Sequence, residues 1–373
     1  MNFETSSEQQ QLADALRKVL ANDYSFEKRK AIVQSASGFS ETIWSTLAEM
    51  GLTAVAVPEA DGGFGGGAVD LMAAMEACGE ALLVEPLLDQ IGLAGRLLTR
   101  AASAAQRDAL LPGLIDGTVR YAVAYLEPGR RYELAPQTTV ARPAGDGWVL
   151  DGSKSVVIGA PSAHRLIVSA RTGEQGSSLF IVDAKAAGVS PSPCRTVDGQ
   201  RAADLRFAGV RLGADALLGP NGGALALLDE AVDFATALLC ADAIGAMQSA
   251  NDATLEYTKT RKQFGVPIAS FQVLQHRMVE MFIQLEQARS MAILAASTVD
   301  TATSADARRR AVSGAKVRIA DAARHISQEA VQLHGGMGMT EELKISHTFR
   351  RLTMIAQRFG DADHHLERYA ALG

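Results

Sequence analysis

Cysteine is scarce in this sequence, whose 373 residues include only Cys78, Cys194 and Cys240. The three lie far apart, in apolar or proline-flanked contexts, and form neither a CxxC motif nor a Cys/His ligand pattern. This spacing excludes a disulfide framework and predicts no metal site. We expect three reduced packing residues in a cytoplasmic protein.

An excess of basic residues and long apolar runs are also missing. The formal net charge is −6, so the composition predicts no surface of the kind that binds nucleic-acid phosphates. No stretch reaches the roughly 18 consecutive apolar residues that a membrane-spanning helix requires. The first residues are polar and amphipathic, unlike a signal peptide. We therefore expect neither a nucleic acid nor a membrane as a partner.

The chain is long enough for more than one hydrophobic core, since a single core usually stops growing at about 250 to 300 residues. Helical spacing prevails to about residue 118, short β-rich runs with turn residues follow, and long amphipathic stretches complete the chain. The sequence therefore predicts a mainly α fold with a central β domain. The predicted domains are an N-terminal helical domain 1–118, a middle β-barrel or sandwich domain 119–221 and a C-terminal four-helix bundle 222–373.

Three segments, one from the predicted middle domain and two from the predicted C-terminal domain, resemble the acyl-CoA dehydrogenase flavoprotein family. The first comprises RYAVAYLEPG and GWVLDGSKSVVIGAPSAHRLIVSART, which are similar to the "TEP" strand and the following hairpin of that family. The second, RKQFGVPIASFQVLQHRMVEM, matches "RxQFGxPIxxFQxxQ" almost letter for letter. The third, QEAVQLHGGMGMTEE, matches "A.QxxGGxGyxxE". Their order and spacing agree with the family over essentially the whole chain.

The second and third segments also have residue types that suit a dinucleotide. Arg261 offers a guanidinium for a diphosphate, Phe264 an aromatic face, and Gly265 a turn close to a ligand. Taken alone, the same residues would by default indicate a cationic helix end with a glycine cap. Gly335 and Gly336 let backbone amides approach a phosphate or an adenine, although an isolated GGxG is a weak signal.

The resemblance implies an FAD-dependent enzyme that introduces an α,β double bond into an acyl-CoA thioester. A carboxylate takes the α-proton, a hydride leaves the β-carbon for flavin N5, and electrons pass to an electron-transfer flavoprotein. In the family, the second and third segments cross a subunit interface to hold the ADP half of FAD, so a homo- or hetero-oligomer is implied. The middle domain and the last helices hold the chain's own flavin ring. The implied cofactor-binding residues are Arg261, Phe264, Gln272, Gln332, Gly335, Gly336, Leu126, Val156 and Ile158.

The positions that would face the flavin ring depart from the family pattern. Leu126 stands in place of a threonine, Val156 in place of a tryptophan that flanks the ring, and Ile158 in place of a threonine near N5. Neither Val156 nor Ile158 can stack on the ring or donate a hydrogen bond. The departure is compatible with neutral drift in a working homo-oligomer, or with a chain that no longer binds its own flavin ring.

The catalytic base is sought in the ending RFGDADHHLERYAALG, where the family has a glutamate that opens "YEGTxxIQR". Alignment on residues 366–368 places Asp361 at this position, whereas alignment on Phe359 places Gly360 there. The alternative base position in the first helix of the bundle is Ala235. Asp361 is therefore the candidate catalytic residue, with a helix cap as its alternative role.

The tail and the RKQFG region look most like the small subunits of two-component, pimeloyl-CoA-type acyl-CoA dehydrogenases. The leading hypothesis is an acyl-CoA dehydrogenase subunit that works with a related large chain. Two alternatives stay open. One is a self-sufficient homotetramer with a divergent site, and the other is a non-catalytic subunit that completes the FAD site of a partner chain.

Overall fold

The computed structural model describes residues 6–173 and 176–372. Helices precede and follow a central sheet, so the predicted mainly α fold with a central β domain is confirmed. In the described residues, the α-helices are α1 Ser7–Asp23, α2 Phe26–Gln34, α3 Glu41–Glu49, α4 Ala68–Ala81, α5 Arg96–Ala101, α6 Ala104–Ile115, α7 Ala224–Thr260, α8 Gln272–Thr301, α9 Ala305–His334, α10 Lys344–Gln357 and α11 Ala362–Ala370.

Eight of the strands in the same residues join one sheet, in the order β6-β7-β3-β2-β4-β5-β8, with β1 pairing in parallel with β4. A separate hairpin consists of β9 and β10. The strands are β1 Tyr121–Ala124, β2 Val140–Ala144, β3 Gly147–Ile158, β4 Arg165–Arg171, β5 Ser177–Asp183, β6 Val189–Arg195, β7 Arg201–Leu212, β8 Leu217–Leu218, β9 Lys262–Gln263 and β10 Val266–Pro267.

The chain divides into two compact units, each assembled from separated parts of the sequence. The first comprises residues 1–29, 68–83 and 236–373, and the second comprises residues 30–67 and 84–235. The first is helical apart from the β9–β10 hairpin, and the second contains the large sheet.

In the first unit, α4 and α7 come into backbone contact at two glycines. A Cβ at Gly79 would lie 1.9 Å from the carbonyl oxygen of Asp242, and one at Gly245 would lie 1.8 Å from that of Glu76. Real Cβ atoms do not approach a carbonyl so closely, so any larger residue would separate the two helices. These two glycines thus allow α4 and α7 to pack in direct backbone contact.

In the second unit, the sheet packs its apolar residues around β3, β4 and β7. A π-helical segment, Asp89–Gly95, is joined to β1 by Gln90, whose side chain accepts from Tyr121 N at 2.8 Å and donates to Val119 O at 2.9 Å.

The pairing of β3 with β7 shifts register between Lys154 and Val157. This shift is a β-bulge, a feature that commonly redirects a side chain near a functional site.

The cysteines follow the sequence-based expectation only in part. Cys78 and Cys240 are buried, but the prediction of a packing role is wrong for Cys194, which is exposed. It lies on β6, an edge strand of the sheet whose residues 190–195 are all exposed.

Among residues 6–173 and 176–372, every helix falls short of the length and apolar character that crossing a membrane requires.

Candidate functional site

The second family-like segment forms an exposed hairpin after α7. Gln263 pairs with Val266, and the two residues between them, Phe264 and Gly265, both have positive φ, of +54° and +84°. Such a turn normally has Asn, Asp or Gly at its first position, because a side chain strains the left-handed conformation. Phe264 is nevertheless 91% exposed there and contacts Phe271 edge-on. A strained and exposed aromatic residue is typical of a contact site.

The third segment forms the end of α9. Gly335 caps the helix with φ +61° and ψ −143°, a conformation that is essentially restricted to glycine. A Cβ on Gly335 or Gly336 would meet no atom within 4 Å, so the space around this turn is open. Gln332 lies on the last turn of α9 and is exposed. The turn therefore offers accessible backbone beside a free carboxamide.

The two segments lie at the same end of the first unit. Tyr257, on the last turn of α7, stacks on His334, the last residue of α9, with centroids 4.4 Å apart and planes at 28°. Within the described residues, the side chains of Arg261, Gln272 and Gln332 have no hydrogen-bond or ion-pair partner. These groups suit the diphosphate and adenine of a dinucleotide. They are an unpaired guanidinium, two unpaired carboxamides, an exposed aromatic face and glycines with open space around them.

In the second unit, Glu127 is 3% exposed and anchors the loop that follows β1. The backbone N–H groups of residues 137–139 donate to its carboxylate at 2.8 to 2.9 Å. The ammonium of Lys154, fully buried on β3, lies 3.2 Å from the same carboxylate and donates to Tyr125 O and Ser169 Oγ. This buried pair fixes the loop against the sheet.

The two charges of the pair respond differently to burial. Desolvation by itself raises the pKa of Glu127, but the N–H donors of residues 137–139 and the charge of Lys154 together lower it to about 2. Burial lowers the pKa of Lys154 to about 8, against the favourable charge of Glu127. At neutral pH the carboxylate is therefore ionised, and it holds three backbone groups and one cation.

The three positions predicted to face the flavin ring adjoin this pair in sequence. Leu126 precedes Glu127, and its carbonyl accepts from Ser155 N at 2.9 Å. Val156 lies in the β3 bulge, is 46% exposed and has φ +49°. Its N–H donates to Asp204 Oδ1 at 2.8 Å. Ile158 pairs with Ala202 on β7. The assignment of Leu126, Val156 and Ile158 to the cofactor stays a prediction.

The substitution Val156→Gly is expected to raise the free energy of unfolding by about 0.5 to 1 kcal/mol. A branched residue in the left-handed region costs about 1 to 2 kcal/mol, part of which is offset by the greater entropy of unfolded glycine. Equilibrium denaturation measures the difference. As a control, Val157→Gly, at a buried residue without positive φ, should lower stability by about 2 kcal/mol or more. Equal destabilisation by both substitutions would contradict strain at Val156.

Asp361 lies in the turn between α10 and α11, where it is the N-cap of α11. Its Oδ1 accepts from His364 N at 2.9 Å, and its φ of −81° and ψ of 178° are extended. The alternative role predicted for this residue, a helix cap, is thus present in the structure. The cap does not test the catalytic role of Asp361, which stays a prediction.

Two buried side chains hold the backbone of this turn. Lys316 of α9 donates to Gly360 O at 2.7 Å and to Ala356 O at 3.1 Å, and burial lowers its pKa to about 8. His365 approaches Phe359 O at 3.1 Å, and burial, followed by the charge of Lys316, lowers its pKa to about 3. The turn before Asp361 therefore has a defined position relative to α9.

Sequence reasoning did not assign roles to Glu127, Lys154, Lys316 or His334, although Glu127, Lys154 and His334 lie in the quoted motifs. A charged residue within an otherwise apolar β run or helix stripe was the available signal, because buried charges require partners. No group of three or more His, Cys, Asp or Glu side chains in the described part of the chain is arranged to hold a metal ion.

Comparison with known proteins gives matches along the whole chain, in the same order of helical, β and helical regions. Three family models match in order: the acyl-CoA dehydrogenase N-terminal domain over residues 6–118, the middle domain over 122–210 and the C-terminal domain over 222–371. The acyl-CoA dehydrogenase FadE12 of Mycobacterium tuberculosis is 30% identical over 370 residues, which cover 95% of this chain and 93% of that protein. The human mitochondrial short-chain specific acyl-CoA dehydrogenase is 29% identical, over 86% and 81% of the two chains.

Solved structures give the same result. A variant of the Tcur3481-Tcur3483 steroid ACAD has a TM-score of 0.89 and 32% identity, covering 99% of this chain and 98% of that chain. The ChsE4-ChsE5 complex of Mycobacterium tuberculosis, at 24% identity and a TM-score of 0.90, has the same fold over 100% and 98% of the two chains. This chain belongs to the acyl-CoA dehydrogenase family of FAD-dependent oxidoreductases that act on acyl-CoA.

Proposed function

We propose that the chain is one subunit of a hetero-oligomeric acyl-CoA dehydrogenase. Its hairpin at Arg261 and its turn at Gly335 and Gly336, together called the ADP-binding arm, would bind the ADP half of an FAD whose ring lies in a related chain. One contrast carries the proposal. The arm residues Arg261, Phe264 and Gln332 are exposed, and both polar side chains are without partners in the described residues. The ring-facing positions of the second unit, by contrast, have the apolar Val156 and Ile158, whose side chains cannot hydrogen-bond to a flavin.

The reaction proposed is α,β-desaturation of an acyl-CoA thioester. Bound FAD would supply the oxidising chemistry by accepting the hydride of the β-carbon. In this chain, Arg261 would neutralise diphosphate charge, Phe264 would cover an aromatic face, and Gly335 and Gly336 would allow close backbone approach. Asp361 would accept the α-proton if the base belongs to this subunit.

Relatives with two kinds of chain support the choice of a hetero-oligomer. The Tcur3481-Tcur3483 steroid ACAD, which is 32% identical to this chain, has a name that joins two components. The CarC subunit of a caffeyl-CoA reductase-Etf complex from Acetobacterium woodii, at 29% identity over 85% of this chain, supports an electron-transfer flavoprotein as the electron acceptor. The pimeloyl-CoA-type pairing, the cytoplasmic location and the acyl group itself stay predictions.

A second candidate, a non-catalytic subunit that only completes the flavin site of its partner, has a specific observation in its favour. The Asp361 carboxylate already accepts the N–H of His364, and its neighbour Gly360, the other residue at the aligned base position, has no functional side chain. In this case the partner chain would supply the base.

The proposed assembly predicts the flavin content of the purified chain. Alone, it should bind clearly less than one FAD per subunit, and adding the related large chain should restore both occupancy and dye-linked turnover. Flavin absorbance against protein concentration, with and without the large chain, measures this. Full occupancy with turnover by the single chain would overturn the hetero-oligomer and leave family membership unaffected.

A further inference from the structure

The contact between Tyr257 and His334 joins two segments that are far apart in sequence. Tyr257 is half-buried, His334 is 4% exposed, and their rings are nearly parallel. Tyr257 lies one helical turn before Arg261, whose N–H bonds to Tyr257 O at 2.8 Å. His334 immediately precedes Gly335. Each ring thus belongs to the last turn of a helix, and each helix is followed at once by one of the two segments of the ADP-binding arm.

The orientation of the imidazole is fixed by a further contact. Nδ1 of His334 lies 2.8 Å from Ala330 O, which makes Nδ1 the protonated nitrogen of a neutral ring. Burial lowers the pKa of His334, so the neutral form prevails at neutral pH. The ring therefore packs on Tyr257 as a flat, uncharged surface. Offset stacking of such rings fixes both the distance and the relative tilt of the two helix ends.

We propose that Tyr257 and His334 form a positioning pair that sets the separation between the Arg261 hairpin and the Gly335-Gly336 turn, so that both can engage one dinucleotide. This inference rests on the proposed function, because it assumes that the two segments bind the same cofactor. Holding both segments in place before binding lowers the entropic cost of capturing FAD.

The test uses the FAD-free assembled protein and two readouts: the FAD dissociation constant from flavin fluorescence and the melting temperature of the FAD-free form. His334→Ala and Tyr257→Ala should each weaken FAD binding by about three- to tenfold, with little further loss in the double variant. His334→Phe, which keeps a ring, should restore affinity to within about twofold. The two alanine substitutions remove buried ring contacts and should lower the melting temperature of the FAD-free form by a few degrees, whereas His334→Phe should restore it.

Two controls separate the possible failures. Arg261→Ala should weaken FAD binding by about ten- to a hundredfold, and unchanged affinity in this variant would overturn the arm itself. Phe26→Leu removes an edge contact with His347 elsewhere in the same unit, with centroids 4.9 Å apart, and should leave FAD affinity unchanged.

If Arg261→Ala weakens binding and His334→Ala does not, the positioning pair is overturned and the arm stands. Lower affinity that accompanies a matching fall in melting temperature, without recovery in His334→Phe, also overturns it, because helix packing then explains the loss. Where His334→Ala does not fold, His334→Leu fills a similar volume without a ring and is expected to give the same loss of affinity.

Discussion

The substitution Asp361→Asn should lower turnover of the assembled enzyme by about 10²- to 10⁴-fold and leave its flavin content unchanged. A positioned base contributes an effect of this size, since the α-proton of a thioester is only weakly acidic. Aspartate is one methylene shorter than the glutamate of the family, so the backbone must bring it closer to the substrate. The contacts of Lys316 with Gly360 O and of His365 with Phe359 O hold that backbone in place.

Asparagine is the informative replacement because it separates the two roles of the residue. The side-chain oxygen of asparagine can still accept from His364 N, and asparagine caps helices about as well as aspartate. Steady-state turnover and flavin absorbance measure the outcome. As a matched control, Asp363→Asn, in the first turn of α11, should have no effect on turnover. A change of less than about threefold in Asp361→Asn would place the base in the partner chain.

The substitution Lys154→Met should lower the free energy of unfolding by about 3 to 5 kcal/mol, because it leaves the carboxylate of Glu127 buried without its cation. Methionine has a similar volume to lysine, so the loss reports mainly on charge and hydrogen bonds rather than on a cavity. Denaturant titration measures it. The exposed pair of Arg142 and Asp151 provides the control, and Arg142→Met should cost less than about 1 kcal/mol.

The acid dependence of the same variant gives an independent check. Since the pKa of Glu127 is lowered to about 2, its carboxylate stabilises the native state fully above the unfolded pKa of about 4.3, and this contribution is lost as the pH falls towards 2. Without Lys154 the folded pKa rises, so Lys154→Met should lose stability at higher pH than the wild type. A loss of less than about 1 kcal/mol at neutral pH, with an unchanged acid profile, would show that the pair is not required for the fold.

Much of the fold could be predicted because it depends on local signals. Ser6 caps α1 through a capping box with Gln9, which is a local sequence signal, and long apolar periodicity predicted α7, α8 and α9. Turn residues separated the β runs of the middle domain. Exposure of Cys194 was not predictable in this way, because the position of a strand at the edge of a sheet depends on its order in the sheet.

The sequence by itself determined the family, the order of helical and β regions, and the residue types of the dinucleotide arm, because local periodicity and short motifs specify them. Only the tertiary structure decided that Tyr257 joins the two arm segments to each other through His334, and that Asp361 caps a helix. It alone also decided that Val156 has positive φ beside the buried pair of Glu127 and Lys154. The ring contact and the buried pair depend on partners far away in the chain, and pairwise distances between remote residues are set by packing rather than by local pattern. The cap at Asp361 is local, and the structure only decided between the two roles that the sequence left open.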